Sequence, residues 1–69
     1  MIVYYVYIWT QNNFEIAHSY NSVDAALNAI RERFEIAMYT PDKEHPGCYD
    51  IKTKCGNIIS IDKCELPWN

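Results

Sequence analysis

The sequence predicts an α+β fold in which four strands and one helix follow one another in the order ββαββ. Two observations support this prediction. Apolar and polar residues alternate toward both ends of the chain, as they do in strands with one buried face. Between these segments, apolar residues recur at the three- and four-residue spacing of an amphipathic helix. At 69 residues, the chain is expected to form a single domain over residues 1–69.

The first hairpin is predicted over residues 2–20. Residues 2–9 are rich in Val, Ile, Tyr and Trp, which favour strands, and residues 14–20 alternate in polarity. Between them, the tetrapeptide TQNN indicates a turn, because Asn tolerates the left-handed backbone. We expect an odd-length turn, which directs these side chains to the core: Ile2, Tyr4, Val6, Ile8, Phe14, Ile16, His18 and Tyr20. An even-length turn would instead place Trp9 on the same side as Phe14 and Ile16.

One amphipathic helix is predicted over residues 22–37. Asn21 or Ser22 is the expected N-cap, since both side chains can accept a hydrogen bond from a free N–H group of the first turn. Apolar residues share one side of this helix: Val23, Ala26, Leu27, Ile30, Phe34 and Ala37. This side is expected to pack on the sheet.

A ten-residue loop is predicted over residues 38–47, which contain two prolines and a glycine. Loops of this length in small domains often carry function. The charged residues at its tip would be accessible, and we take Asp42 and Glu44 as candidate binding residues.

A second hairpin is predicted from residues 49–54 and 57–66, which alternate around Gly56. Gly56 is expected to supply the left-handed residue of a three-residue loop, and Pro67 to end the last strand. This register directs one set of side chains toward the helix: Tyr49, Ile51, Thr53, Ile59 and Ile61. The other set faces away from it: Asp50, Lys52, Lys54, Ile58, Ser60 and Asp62.

The four predicted strands are expected to form an antiparallel sheet in the order 2-1-3-4. The first strand is apolar on both faces, which favours a central position. The helix joins the second strand to the third and covers one face of the sheet.

The other face of the sheet is the candidate functional surface, because one helix cannot cover both sides. The residues expected there are Val3, Tyr5, Tyr7, Trp9, Glu15, Ala17 and Ser19. The candidate binding residues are Tyr5, Tyr7, Trp9 and Glu15 from this set, together with Lys52 and Lys54 from the second hairpin. Three interpretations remain open: tyrosines that merely suit strand structure, a dimer or partner surface, and a platform for stacking bases.

Composition restricts the class of protein. The net charge of -3 and the pI of about 5.1 argue against direct DNA binding, which favours a basic surface. No apolar run approaches the roughly 18 residues of a membrane span, and no basic segment precedes the apolar N-terminal stretch. The count of three cysteines fits a reducing compartment, so we expect a cytoplasmic protein without membrane contact.

Four side chains form a candidate zinc set: His45, Cys48, Cys55 and Cys64. The predicted hairpin separates Cys55, at its tip, from Cys48 and Cys64 by about 20 Å, which is too far for one ion. Cys48 and Cys64 could approach each other closely enough for a disulfide, although free thiols are the default. We therefore expect no metal site and no cofactor.

Catalytic constellations are also missing from the sequence. His18 with Glu15 or Tyr20 has the composition of an acid–base pair, but no set of nucleophile, base and orienting residue accompanies it. The chain has two glycines, too few for a glycine-rich phosphate loop. We expect a protein that is not an enzyme.

Two segments carry a resemblance to a known group of proteins. These are SVDAAL at residues 22–27, which opens the helix, and YDIKTKCGNIISI at residues 49–61. With the strand–helix–hairpin order, they resemble the small phage-encoded anti-CRISPR and other anti-defence proteins over about the C-terminal two-thirds of the chain. Because this chain is acidic, no contact residues are carried over from that group.

The resemblance implies a non-enzymatic inhibitor that binds a host protein or ribonucleoprotein complex stoichiometrically, in the host-cell cytoplasm. The sheet face or an edge strand would make the contact. Two alternatives remain: an oligomeric protein that sequesters a nucleotide signal between aromatic rings, and a structural homodimer.

Overall fold

Within residues 1–67, the chain forms an antiparallel sheet of five strands with one helix on one face. The structure, a computed structural model, describes residues 1–67 apart from the side chain of Ala17. The elements are β1 (Ile2–Trp9), β2 (Phe14–Tyr20), α1 (Val23–Arg33), β3 (Ile36–Pro41), β4 (Tyr49–Thr53) and β5 (Ile58–Glu65). The strand order is β2-β1-β5-β4-β3, and all four pairings are antiparallel. The α+β class with a single helix is confirmed, whereas the predicted four strands and their order are wrong.

The order differs because β1 pairs with β5 and not with β4, the strand that begins the second hairpin. All eight residues of β1 pair with residues of β5, from Ile2 opposite Glu65 to Trp9 opposite Ile58. β4 has five residues and could not satisfy the backbone of β1 along its whole length. Since unpaired buried backbone groups cost free energy, the longest strand lies beside a partner of equal length.

The helix begins where the sequence predicts, with Ser22 as the N-cap. The Ser22 hydroxyl accepts a hydrogen bond from the backbone N–H of Ala25 at 3.1 Å. This bond satisfies one of the free N–H groups of the first turn.

The predicted end of the helix, at residue 37, is wrong. The Phe34 N–H still donates to the Ile30 carbonyl at 2.8 Å, but the Phe34 backbone is extended, with φ -137° and ψ 151°. The chain continues into β3, which pairs with β4. Residues 38–41 therefore belong to a strand and not to a loop, because β3 supplies the hydrogen-bond partners that one side of β4 would lack.

The core lies between α1 and one face of the sheet. Its buried residues are Val6, Ile8, Ala26, Leu27, Ile30, Ile51, Ile59 and Ile61. The face predicted for the second hairpin is thus confirmed, and Tyr4, Tyr20 and Tyr49 pack around this core. The three-residue loop is also confirmed, since Gly56 has φ +93° and its N–H donates to the Thr53 carbonyl at 3.1 Å.

The turn of the first hairpin has an even length, so the expected odd-length turn is wrong. Thr10 and Asn13 hydrogen-bond to each other through their backbones, at 2.9 and 3.4 Å, which leaves two residues at the tip. Trp9 then lies opposite Phe14. Phe14 and Ile16 consequently lie on the face away from the helix, and they are 49% and 62% exposed. His18, which was also expected in the core, is exposed.

Each edge strand contains a β-bulge. In β2, Ile16 and Ser19 are three positions apart while their partners Tyr7 and Tyr5 are two apart, so β2 has one extra residue. β3 has an extra residue between Ile36 and Met38. The bulge in β2 reverses the alternation, which returns Tyr20 to the helix side although Phe14 and Ile16 face away from it.

The loop between β3 and β4 spans residues 42–48 and packs on β5. Gly47 has φ +87°, and a Cβ atom at this position would lie 2.6 Å from Lys63 Cδ and 2.9 Å from Lys63 Cβ. Glycine is therefore required here both by the backbone and by the close approach. Across residues 1–67, the one helix is too short and too polar to cross a bilayer.

Candidate functional site

The sheet face away from α1 carries two rows of side chains that cross all five strands. The first row follows the register Phe14, Trp9, Ile58, Lys52 and Met38. The second row, two residues further along each strand, is Ile16, Tyr7, Ser60, Asp50 and Thr40. We call these two rows, together with Tyr5 and Asp62 beside them, the open face. No element of residues 1–67 packs over them.

Four aromatic rings form a continuous cluster on the open face. The ring centroids of Tyr5 and Tyr7 are 6.4 Å apart, and those of Tyr7 and Trp9 are 6.1 Å apart. Phe14 contacts both neighbours, with its ring 5.1 Å from Trp9 and stacked at 6.1 Å on Tyr7. Contacts at these distances stabilise the pairs beyond simple burial and hold the rings in defined positions.

Aliphatic side chains extend this cluster toward both edges of the sheet. Ile16 is 62% exposed, Met38 55% and Ile58 49%. Val3, predicted for the same face, is instead buried at 5% exposure, so the accessible area begins at Tyr5. An exposed apolar patch of this kind, which Lys52 interrupts between Ile58 and Met38, is typical of an interaction surface.

The charges on the open face nearly balance. The first row contains Lys52 and the second contains Asp50, whose Oδ1 accepts a hydrogen bond from the Ser60 hydroxyl at 3.5 Å. Asp62 lies opposite Tyr5 on β1. With two carboxylates against one ammonium group, this face is poorly suited to bind a phosphate backbone.

The edges of the sheet are less suited to binding than its face. A bulge interrupts the outer hydrogen-bonding line of both β2 and β3, and β3 ends in Pro41, which has no N–H to donate. Bulges and prolines are the features by which edge strands avoid pairing with other strands. The face, and not an edge, is therefore the favoured contact surface.

The structure brings together Tyr5, Tyr7, Trp9 and Lys52, which are four of the predicted binding residues, on one face. Glu15 does not join them, because it lies opposite Ile8 and thus on the helix side. Lys54 lies in the β4–β5 turn, where its ammonium group is 3.5 Å from Glu35 Oε2.

Glu15 forms an ion pair that ties β2 to the helix. Its Oε1 accepts a hydrogen bond from Arg33 Nη1 at 2.7 Å, and this bond, with the charge of the guanidinium, lowers the pKa of the Glu15 carboxyl. The same bond raises the pKa of Arg33, whose guanidinium also lies 5.2 Å from the Phe34 ring. A shallow groove between β2 and α1 includes His18 beside this pair. The Glu15 carboxylate is thus bound to Arg33, which weakens the idea of an acid–base pair with His18.

The binding residues predicted for the loop are Asp42 and Glu44, and the Asp42 side chain mainly stabilises the loop itself. Asp42 Oδ1 accepts a hydrogen bond from the backbone N–H of Glu44 at 3.0 Å, and Oδ2 lies 3.2 Å from His45 Nδ1. The Glu44 N–H is the main cause that lowers the pKa of Asp42. Asp42 therefore organises the turn, while the Glu44 side chain is exposed.

Metal and thiol chemistry do not converge on a site. The thiols of Cys48, Cys55 and Cys64 are all free. Within the part of the chain that the structure describes, no three His, Cys, Asp or Glu side chains are grouped so that they could hold a metal ion.

Sequence reasoning missed Phe14, Ile16 and Met38 as members of the open face. The signal for Phe14 and Ile16 was the even-length turn, which depends on a backbone pairing of Thr10 with Asn13 that the composition does not reveal. The signal for Met38 was a repeated tetrapeptide. FEIA occurs at residues 14–17 and again at 34–37, and in both places the chain leads into an edge strand with a bulge.

No protein-family model, curated protein or solved structure matches the chain.

Proposed function

We propose that the protein is a non-enzymatic binding module that acts by stoichiometric association with a partner protein through the open face. The observation that carries the proposal is the continuous cluster of Tyr5, Tyr7, Trp9 and Phe14 on a face left uncovered by residues 1–67. Tyr and Trp are enriched at binding hot spots because they offer a large contact area at a small cost in side-chain entropy.

The position of the cluster supports protein recognition more than ligand capture. The rings lie on neighbouring strands of a continuous sheet and form a broad surface. In the two rows, Lys52 is the one cation that could meet a phosphate group, and Asp50 lies two residues from it on the same strand. A nucleotide signal would therefore find little charge compensation, so we rank the nucleotide-binding alternative below the protein-binding one.

The specific form we propose is an inhibitor of a bacterial defence complex, as the resemblance to the anti-defence proteins implies. The near-neutral, aromatic open face favours contact with the protein part of such a complex over contact with its nucleic acid. Binding that covers a working surface of the complex would inhibit it without any chemical step.

Plating of a CRISPR-targeted phage on cells that express the protein tests this form. We expect the wild-type protein to restore plating and the double variant Tyr7→Ala/Trp9→Ala to lose this effect. Tyr39→Ala is the matched control, because Tyr39 is an exposed tyrosine whose ring stacks on Tyr49 on the helix side. Circular dichroism establishes that the variants are folded.

Two results would contradict the proposal in different ways. If the wild-type protein fails to restore plating and does not bind the purified CRISPR defence complex, the inhibitor proposal is wrong. If plating is restored equally by the double variant, the open face is not the contact surface.

A further inference from the structure

We propose that the open face closes on a second copy of the chain, which forms a two-fold dimer of face-to-face sheets. The dimer would use the same face as the proposed function. Its existence does not depend on that function. Only one consequence rests on the proposed function, namely that the dimer must open before another protein binds.

The amount of surface supports a second copy. The chain exposes 4974 Å². A monomer of 8.1 kDa is expected to expose about 4,500 Å², so several hundred Å² are in excess. The two rows and their margins cover about four residues along each of five strands spaced about 4.8 Å apart, which is roughly 300 Å² in projection before side-chain relief is added. This is below the roughly 800 Å² that each partner buries in a standard interface, so a weak, concentration-dependent dimer is expected.

The two rows of the open face are complementary to each other. A two-fold axis that lies in the interface, at right angles to the strands and between the rows, places the first row of one copy over the second row of the other. Each apolar residue of the β1–β2 pair then meets an apolar residue, because Phe14 lies over Ile16 and Trp9 lies over Tyr7. Strands of the two sheets remain aligned, as in β-sandwiches.

The charges of the rows fit the same axis. Lys52 of the first row lies over Asp50 of the second, and the symmetry makes this pair twice. The neighbouring positions bring no charge into the contact, since Ile58 lies over Ser60 and Met38 over Thr40. No like charges of the rows meet across this axis. An axis parallel to the strands along β1 would instead place Trp9 over Trp9 and leave Lys52 and Asp50 outside the contact.

Two single charge variants test the arrangement. In a homodimer of Asp50→Lys, Lys52 would face a second lysine, and in a homodimer of Lys52→Asp, Asp50 would face a second aspartate. We expect each variant alone to raise the dimer Kd about tenfold or more, since two like-charge pairs meet in every dimer. An equimolar mixture restores both opposite-charge pairs and is expected to form a heterodimer with near wild-type affinity.

Sedimentation equilibrium gives the affinities, and native mass spectrometry identifies the heterodimer by its mass. Lys43→Asp is the matched control, because it makes the same charge change at an exposed position of the 42–48 loop and should leave the dimer unchanged. Both test positions are exposed, so the variants should fold.

Three results overturn the inference: a wild-type chain that sediments as a monomer at high micromolar concentration, a dimer that neither variant weakens, or a mixture no tighter than its components. A monomeric wild-type chain that still restores phage plating overturns the dimer and leaves the proposed function standing. If the dimer behaves as expected but the wild-type chain does not restore plating, the dimer stands and the proposed function is contradicted.

Discussion

The rings of Tyr7 and Phe14 are stacked, with their centroids 6.1 Å apart and their planes within 7° of parallel. Tyr7 belongs to β1 and Phe14 to β2, and the contact requires both side chains to be on the same face of the sheet. The two-residue tip of the first turn produces this arrangement. The stacked pair is therefore both a part of the open face and a marker of the hairpin register.

The coupling between Tyr7 and Phe14 can be measured in a double-mutant cycle. We expect Tyr7→Leu and Phe14→Leu to show an interaction free energy of about 0.5–1.5 kcal/mol in urea unfolding, because aromatic pairs contribute this much beyond burial. The matched control is a cycle between Phe14 and Tyr39, which lies on the helix side and should give a value near zero. A Tyr7–Phe14 coupling that is also near zero would contradict the even-length turn.

The two faces of β5 can be compared at adjacent isoleucines. Ile59 is fully buried in the core, whereas Ile58 is 49% exposed on the open face. Ile59→Val should lower the free energy of unfolding by about 0.5–1.5 kcal/mol, because it removes a buried methylene group and leaves a cavity. Ile58→Val should change the stability of the monomer very little. Chemical denaturation at low protein concentration measures both, and equal effects would contradict the assigned faces.

The two glycines provide a test of the loop packing. Gly47→Ala and Gly56→Ala both force a side chain into the left-handed region, at φ +87° and φ +93°, which costs about 1–2 kcal/mol. Gly47→Ala should cost more, because its Cβ would also collide with Lys63, while no atom lies within 4 Å of a Cβ at Gly56. Thermal unfolding of the two variants measures the difference. Equal losses would show that the 42–48 loop does not pack on β5.

The Glu15–Arg33 pair predicts a pH dependence. Because Arg33 lowers the pKa of Glu15 in the folded state, the pair stabilises the fold above the unfolded-state pKa of Glu15, and this contribution is lost as the pH falls through the lowered value. An NMR titration should find the Glu15 midpoint below that of an ordinary glutamate. Arg33→Gln should return it toward the ordinary value, whereas Arg31→Gln, two residues away on the same helix, should not. A Glu15 midpoint that is insensitive to Arg33→Gln would rule out the ion pair in solution.

Local sequence patterns predicted those parts of the fold that depend on neighbouring residues. The Ser22 side chain can cap a helix, and the spacing of the apolar residues after it correctly predicted which side of α1 is buried. Gly56 determined the loop of the second hairpin, and this loop set the alternation from Ile51 to Ile61. In each case the determining contact is only a few residues away along the chain.

The repeated FEIA tetrapeptide shows where local patterns are insufficient. At residues 14–17 it is predicted to be strand, which β2 confirms. At 34–37 it is predicted to be the end of the helix, whereas α1 ends at Arg33 and β3 begins at Ile36. Apolar residues at positions 34 and 37 fit helical spacing as well as they fit a bulged strand. The open side of β4 decides between the two, because pairing with β3 satisfies backbone groups that a longer helix would leave without partners.

Sequence patterns were sufficient to predict the class of fold, the start and apolar side of the helix, the second hairpin, and, from Tyr4 to Trp9, the two sides of β1. At the start of β1 they failed, because Ile2, expected in the core, is 43% exposed and Val3, expected on the aromatic side of Tyr5, Tyr7 and Trp9, is 5% exposed. Long-range strand pairing sets the strand order, forms β3, and adds Phe14 and Ile16 to that aromatic side. The difference lies in the range of the interactions. Capping, periodicity and glycine turns act over a few residues, whereas strand pairing joins residues as far apart as Ile2 and Glu65 and depends on which backbone groups remain to be paired.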